Sequence, residues 1–360
     1  MNCTSFASLI LPDVSSILWR MDTPLQYLPV LIVGFAASLG LTPLSRRVAM
    51  WLGVVDKPTL ARKIHTDHKP MMGGLAIFAG VALSLLLFSP PQHIAELLAI
   101  LAGATALAII GLLDDRFNLS WGIRFVVMIT AAIIVILAGI QIRLFNMPLL
   151  DIPLTLIWIV ALTNATNFLD NMDGLTAGLS AIASGFFLIL ALMQGQILVS
   201  LLAAAVFGSA LGFLTYNFNP ASTFMGDMGA LVLGYVLSIV AIKLQFGNQP
   251  LDVSWMIPVF VLFLPIFDIN LVVWTRLSEG RSPVEGGKDH TSHRIMVLGF
   301  NQRRTTLILY GLCIFFGGLA VLISAAAPDV GLRLGVAGFV LVALMYTGMI
   351  WIRQTYQKKT

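Results

Sequence analysis

Residues 97–116 read LLAILAGATALAIIGLLDDR, an uncharged run from Leu97 to Leu113 followed at once by Asp114, Asp115 and Arg116. A run of that kind approaches the roughly 20 apolar residues that span a bilayer as a helix. The paired carboxylates then mark the point where such a helix meets water. Similar stretches recur at about 25–44, 72–90, 95–113, 123–141, 153–168, 175–193, 197–216, 229–246, 254–275, 305–326 and 332–352, which predicts eleven membrane helices in an all-α polytopic protein. Composition agrees: of 360 residues 58% are hydrophobic and 11% charged, too few charges to cover a soluble globule of this size. We expect one integral membrane domain over 1–360, without repeats or a soluble domain. Cys3 and Cys313 exclude a disulfide framework and a cysteine-based metal site. No basic segment precedes the short apolar stretch Phe6 to Leu18, so a retained N-terminus is expected.

Lys and Arg orient the chain. With the N-terminus outside, seventeen fall on the inner side and only Arg20, Arg143, Lys243 and Arg333 on the outer, which makes the C-terminus cytoplasmic. His65, His68, His290 and His293 share the inner side with most of the acids. The net charge of +4 is thereby explained by topology and does not call for nucleic acid. The inner connections 45–71, 114–122, 169–175, 217–228 and 276–304 are expected to build a cleft on the cytoplasmic face.

Four clusters carry chemistry. Asp114 and Asp115 oppose the helix dipole and repel each other, so cations must answer them. A solvated helix end neutralised by Arg116 and Arg124 is the plain arrangement, and a ligand site is the other. Asn164, Asn167, Asp170, Asn171 and Asp173 recur at spacings of three or four; if the helix persists, these oxygen donors share a face and suit Mg²⁺ or Mn²⁺. Asn217 to Gly229 contains Pro220, Phe224, Gly226 and Asp227, where Asp227 either caps the next helix or joins a divalent-metal site. The loop from Arg276 to Arg304 sets Arg281, Lys288, Asp289, His290, His293 and Arg294 beside Gly286 and Gly287, a composition suited to a diphosphate. Asp268, inside the ninth stretch, must face the bundle interior.

With Val55-Asp-Lys-Pro58, Pro70-Met-Met-Gly-Gly74, Asp114-Asp115, Asn167 to Gly174, Phe224-Met-Gly-Asp227 and Asp289-His290-Thr-Ser-His293 in order on one side, the chain resembles the polyprenyl-phosphate N-acetylhexosamine-1-phosphate transferases of glycosyltransferase family 4, and within them the WecA/TagO-like branch. The resemblance implies Mg²⁺-dependent transfer of a sugar 1-phosphate, GlcNAc-1-phosphate first among the candidates, from a UDP-sugar to undecaprenyl phosphate. The products are undecaprenyl-diphospho-sugar and UMP, made at the inner face of a bacterial plasma membrane to start an envelope glycan. Residue by residue it implies Asn167 and Asp227 as metal ligands and Asp114, Asp115 and His290 as catalytic groups, with Asp114 as general base. Asp170, Asp173, Asn217 and Phe224 would form the nucleotide pocket, Phe224 stacking on uracil. His293, Arg294, Arg281, Lys288 and His65 would bind phosphate or sugar, with His65 or Lys69 at a position where relatives often carry lysine. Asn164 and Asp268 would support. A homodimer is compatible with all of this.

Two departures are informative. WecA-type relatives often carry His-x-His-His where this chain has His290-Thr291-Ser292-His293, and Asn118 stands where the pentapeptide transferases usually have lysine. Asn118 and the His-x-x-His pattern together disfavour phospho-MurNAc-pentapeptide transfer, the alternative within the class, whose members usually carry a run of three histidines there. A secondary transporter is the alternative outside it, but a carrier needs polar sites near the midplane, where only Asp268 falls. A non-catalytic lipid-binding scaffold would need neither Asp114 nor Asp227.

Overall fold

The computed structural model describes residues 24–56, 69–246, 249–284 and 286–357. The described chain is almost wholly helical. In order it forms α1 (Leu28–Leu52), a two-residue ribbon β1 (Val55–Asp56) and β2 (Lys69–Pro70), α2 (Gly73–Phe88), α3 (Ile94–Phe117), α4 (Trp121–Leu137), α5 (Pro148–Leu169), α6 (Leu175–Met193), α7 (Ile197–Asn217) and α8 (Gly226–Lys243). Then follow α9 (Leu251–Ser254), α10 (Met256–Val261), α11 (Phe263–Ser278), α12 (Thr291–Val297), α13 (Gln302–Ala325) and α14 (Pro328–Ile352). The strands pair antiparallel, Val55 with Pro70 and Asp56 with Lys69.

Each of the eleven apolar stretches from 25 to 352 falls on helix, and Phe6 to Leu18 lies outside the described residues. Among the described residues eight helices are long and apolar enough to cross a membrane, or nine if the bent pair α9–α10 and α11 counts as one. α2 and α4 are apolar but shorter. Large apolar side chains such as Leu86, Ile109, Leu137, Leu322 and Leu344 stand exposed on the outside. A helical bundle with an apolar exterior satisfies its backbone internally and presents lipid with what lipid accepts. This is an all-α polytopic membrane protein.

Packing sets a centre and a rim. α8 lies against α3 and α5, α7 against α1 and α6, and α14 against α13. The apolar window of α8 is 83% buried and that of α14 only 11%, so α8 is the axis and α14 sits at the edge. α11 departs from α10 by 81°. Pro265 accounts for the break, because its ring excludes the carbonyl of Val261 and it has no N–H to give.

Three local expectations are corrected. The first inner connection is shorter than 45–71, since α1 continues to Leu52 and ends on Gly53 in the left-handed region. The helix carrying Asn164 and Asn167 stops at Leu169, so Asp170 and Asp173 stand on a turn and not on a continued helical face. The run Asp-Asn-Met-Asp-Gly supplies the side-chain turn chemistry that competes with helix. Within 276–304, α11 extends to Ser278 and α12 occupies Thr291–Val297.

Candidate functional site

The C-terminal ends of α3, α5, α7 and α11, the connections after them and the start of α8 surround a cavity of about 920 Å³. Its walls include Asp114, Asp115, Asn167, Asp170, Asp173, Asn217, Phe224, Asp227, Lys288, His290 and His293. Segments hundreds of residues apart in the chain thus meet in one place.

At one end lies an acidic centre. α3 and α8 approach closely enough that a Cβ on Gly111 would meet the backbone of Met228, which brings the carboxylates after Gly111 to the start of α8. Arg124, in the first turn of α4, donates through one nitrogen to Asp114 Oδ2 at 2.6 Å and to Asp227 Oδ2 at 2.8 Å. Asn167 Nδ2 donates to Asp227 Oδ1 at 2.9 Å, and the Asp227 amide donates to Asp115 Oδ1 at 3.0 Å. Asp114 Oδ1 accepts from Leu119 N at 2.6 Å. Asp227 makes no side-chain cap, so the capping role is not the one its carboxylate fills. Of the two arginines expected to answer Asp114 and Asp115, only Arg124 does; Arg116 lies over the Phe117 ring. Gly226 holds φ +69° directly under Asp115, where a Cβ would strike Asp115 Oδ2 and Met71 O.

Two of the three carboxylates therefore share one guanidinium, and Asp115 Oδ2 is buried without a hydrogen-bond partner among the described residues. Buried anionic oxygens in excess of their cations are costly. Such oxygen donors suit a hard divalent cation, which Asp227, Asn167 and Asp115 could hold. Asp170 registers the same field. Desolvation, then the carboxylates of Asp227 and Asp173, raise its pKa to about 7.

The wall beside it is a hydrogen-bonded frame. Asp173 Oδ2 accepts from Asn219 Nδ2 and Ala221 N, both at 2.9 Å, and Asn219 also donates to Gln302 Oε1 at 3.1 Å. Asn217 takes Gly174 N at 3.1 Å and donates to Thr223 O at 3.0 Å. Both residues line the cavity while their side chains hold the 217–226 turn that presents Phe224 and Asp227. The Pro70 to Gly74 motif serves the same turn: Phe224 N donates to Pro70 O at 2.9 Å and Gly74 N to Met225 O at 2.8 Å.

At the far end His290 Nδ1 donates to Asp268 Oδ2 at 2.7 Å, while Thr291 N donates to Asp268 Oδ1 at 2.7 Å. The buried Asp268 is thereby explained, and the second ring nitrogen of His290 is left for the cavity. His293 is held well below the ordinary imidazole range, at about 4, by desolvation and then by the neighbouring His290. Ser292, at the position where relatives often have a third imidazole, donates to Asn171 Oδ1 at 2.8 Å and ties this loop to the turn after α5.

Arg281 and Arg294 do not line the cavity. Arg294 is fully buried and donates to Asp289 O, Met349 O and Thr275 Oγ1. Arg281 forks onto Glu279 and Asp289. Their guanidiniums are spent on the loop and on the helices beside it, which corrects the expectation that both bind phosphate. Asn164 also stays off the cavity, and His65 lies outside the described residues. Sequence reasoning passed over Arg124 as a site residue, together with Asn219, Arg276 and Gln302 of the lining. Charge opposite the acid pair was the signal for Arg124; nothing local marks the others.

Residues 97–245 match the family model described as glycosyl transferase family 4. A probable undecaprenyl-phosphate N-acetylglucosaminyl 1-phosphate transferase of Bacillus subtilis (strain 168) is 36% identical over 304 residues, 82% of this chain and 84% of that protein. An undecaprenyl-phosphate alpha-N-acetylglucosaminyl 1-phosphate transferase of Yersinia pestis is 30% identical over 310 residues, 81% of each chain. A decaprenyl-phosphate N-acetylglucosaminephosphotransferase of Mycolicibacterium smegmatis is 31% identical over 341 residues, 84% of this chain and 83% of its own length.

Proposed function

The chain belongs to glycosyl transferase family 4, and on that premise we propose that it transfers GlcNAc-1-phosphate from UDP-GlcNAc to undecaprenyl phosphate, releasing UMP. The observation that carries the reading is the convergence of Asp114, Asp115, Asn167 and Asp227 on one cavity of about 920 Å³, large enough for a nucleotide-sugar.

In this reading an oxygen of the acceptor's phosphate attacks the β-phosphorus of the donor. The bond from that phosphorus to the bridging oxygen breaks, and UMP leaves with the bridging oxygen. One phosphoanhydride replaces another, so the protein's work is alignment and charge compensation. Asp114 takes the proton that the acceptor phosphate gives up, while Arg124 holds Asp114 and Asp227 in register. Asp227 and Asn167 would hold Mg²⁺ with Asp115, and Mn²⁺ could replace it; bound there, the ion would neutralise diphosphate oxygens and sharpen the electrophile. Phe224 offers its ring to the uracil, with Asp170, Asp173 and Asn217 framing the nucleotide. His290, oriented by Asp268, faces the diphosphate together with Lys288 and His293.

Leu113, Phe117, Trp121 and Phe125 stand exposed along α3 and α4 beside Asp114, an apolar wall that supports entry of a lipid acceptor from the membrane. Counting α2, α4 and the bent pair as crossings gives eleven spans. Basic residues such as Arg46, Arg47, Arg276, Arg303 and Arg304 support a cytoplasmic site with the N-terminus outside. The test is UMP release by purified protein in detergent with undecaprenyl phosphate and Mg²⁺. UDP-GlcNAc, UDP-GalNAc and UDP-MurNAc-pentapeptide are compared, each with an EDTA control. Metal-dependent UMP from UDP-GlcNAc alone is expected; release only from another donor overturns the sugar assignment, and none from any donor overturns the class.

A further inference from the structure

We propose that Arg353, at the end of the peripheral helix α14, is a positioning residue for the site, acting through Asp289 on Lys288 and His290. The inference deepens the transferase reading and rests on it for its activity arm.

Asp289 is buried and lies between Lys288 and His290, both of which line the cavity. Its two oxygens take three guanidiniums: Arg276 Nε at 3.0 Å, Arg281 at 2.8 Å and Arg353 at 2.7 Å. Arg353 also grips Glu279, at the end of α11, through Nε at 2.8 Å and a terminal nitrogen at 2.7 Å. All three nitrogens of Arg353 are therefore used, two on one carboxylate and one on another. Against the cost of burial, the arginines hold the Asp289 carboxyl far below its ordinary range, so it is an anion throughout. His290 is pinned on its other side by Asp268. The loop thus has two anchors, a carboxylate inside the bundle and a guanidinium delivered by a helix that is otherwise mostly lipid-facing. Alignment errors of about an ångström cost as much as 100-fold in rate, so slack at Asp289 reaches the reacting groups. A lysine at 353 supplies charge without the planar fork and restores only part of the grip.

The experiment compares Arg353→Ala, Arg353→Lys and, as a control, Lys243→Ala. The control breaks an ion pair to Glu96, 2.6 Å long and partly exposed, at the opposite ends of the helices. Each variant is measured for kcat and KM in UMP release, for Tm in detergent, and for the rate at which trypsin cuts the folded protein after Arg281 and Lys288. Arg353→Ala is expected to lose about 10- to 100-fold in kcat, more than KM rises, with Tm near wild type and faster cleavage at both sites. Arg353→Lys should fall between, and Lys243→Ala should match wild type throughout. Wild-type kcat with unchanged cleavage in Arg353→Ala overturns the proposal, as does a Tm collapse shared by both Arg353 variants. If the wild-type protein releases no UMP, the transferase reading fails while the cleavage pattern still decides the clamp.

Discussion

The acidic centre and the arginine loop border the same cavity and are equally dense in charge, yet their electrostatic accounts are opposite. Among the described residues, one arginine answers two of the three carboxylates of Asp114, Asp115 and Asp227, and one buried oxygen of Asp115 has no donor. Around Asp289 and Glu279 two carboxylates meet Arg276, Arg281 and Arg353, with nearly every polar atom engaged. Among the described residues the first region carries more carboxylates than cations, and the second is closed on itself. A deficit of that kind marks where a ligand belongs; a closed network marks what holds the ligand's surroundings in place.

The contrast can be broken most sharply by separating activity from stability. Asp114→Asn and Asp227→Asn should each lower UMP release by about 10²–10³-fold or more while leaving helical circular dichroism and Tm intact, because each removes repulsion along with function. Full activity in both would disqualify the acidic centre. Asp289→Ala should lower Tm as well as UMP release. It strands the buried Arg276, and a buried charge left without its partner costs about 3–5 kcal/mol, read as a large drop in Tm, whereas Arg353→Ala leaves Asp289 paired with Arg276 and Arg281.

Metal addition sharpens the same line. Mg²⁺ at a hundred times its Kd should stabilise the wild-type protein by about 2.7 kcal/mol and Asp227→Asn hardly at all, with EDTA reversing the gain. An equal rise in both proteins would place the ion elsewhere. A smaller effect comes from His293. Its folded pKa of about 4 lies below the ordinary 6.5, so as pH falls through that interval the unfolded chain takes up a proton that the folded one refuses. Stability contributed by neutral His293 is full above about pH 6.5 and declines toward pH 4. The Tm of His293→Gln should therefore fall less steeply over that window than the wild-type Tm; parallel curves would contradict the burial of the imidazole.

What the sequence disclosed follows from range. Membrane helices are written locally, in runs of apolar residues, and each of the eleven such runs became helix. The acid pair, the Asn167 to Gly174 turn and Asp227 were legible because carboxylates and amides beside apolar runs are expensive unless used. Allocation of the arginines was not legible. Arg281 and Arg294 have the composition of a phosphate loop, and only the arrival of Arg353 and of Met349 O from α14 shows where their donors go. Arg124 differs from Arg116 in no local respect; the position of α8 decides between them. Asp173 and Asn217 line the cavity, but their hydrogen bonds to Asn219, Ala221, Gly174 and Thr223 depend on a turn whose shape no short window specifies.

Gly111 and Gly226 give the acidic centre an unusual tolerance. The separation of its carboxylates is gauged by main chain resting on main chain and on a carboxyl oxygen, surfaces that cannot repack as side chains do. A systematic mutational map of this protein would accordingly contain silent-looking positions, without charge, hydrogen bond or contact to substrate, at which a single methyl group is as damaging as loss of an aspartate.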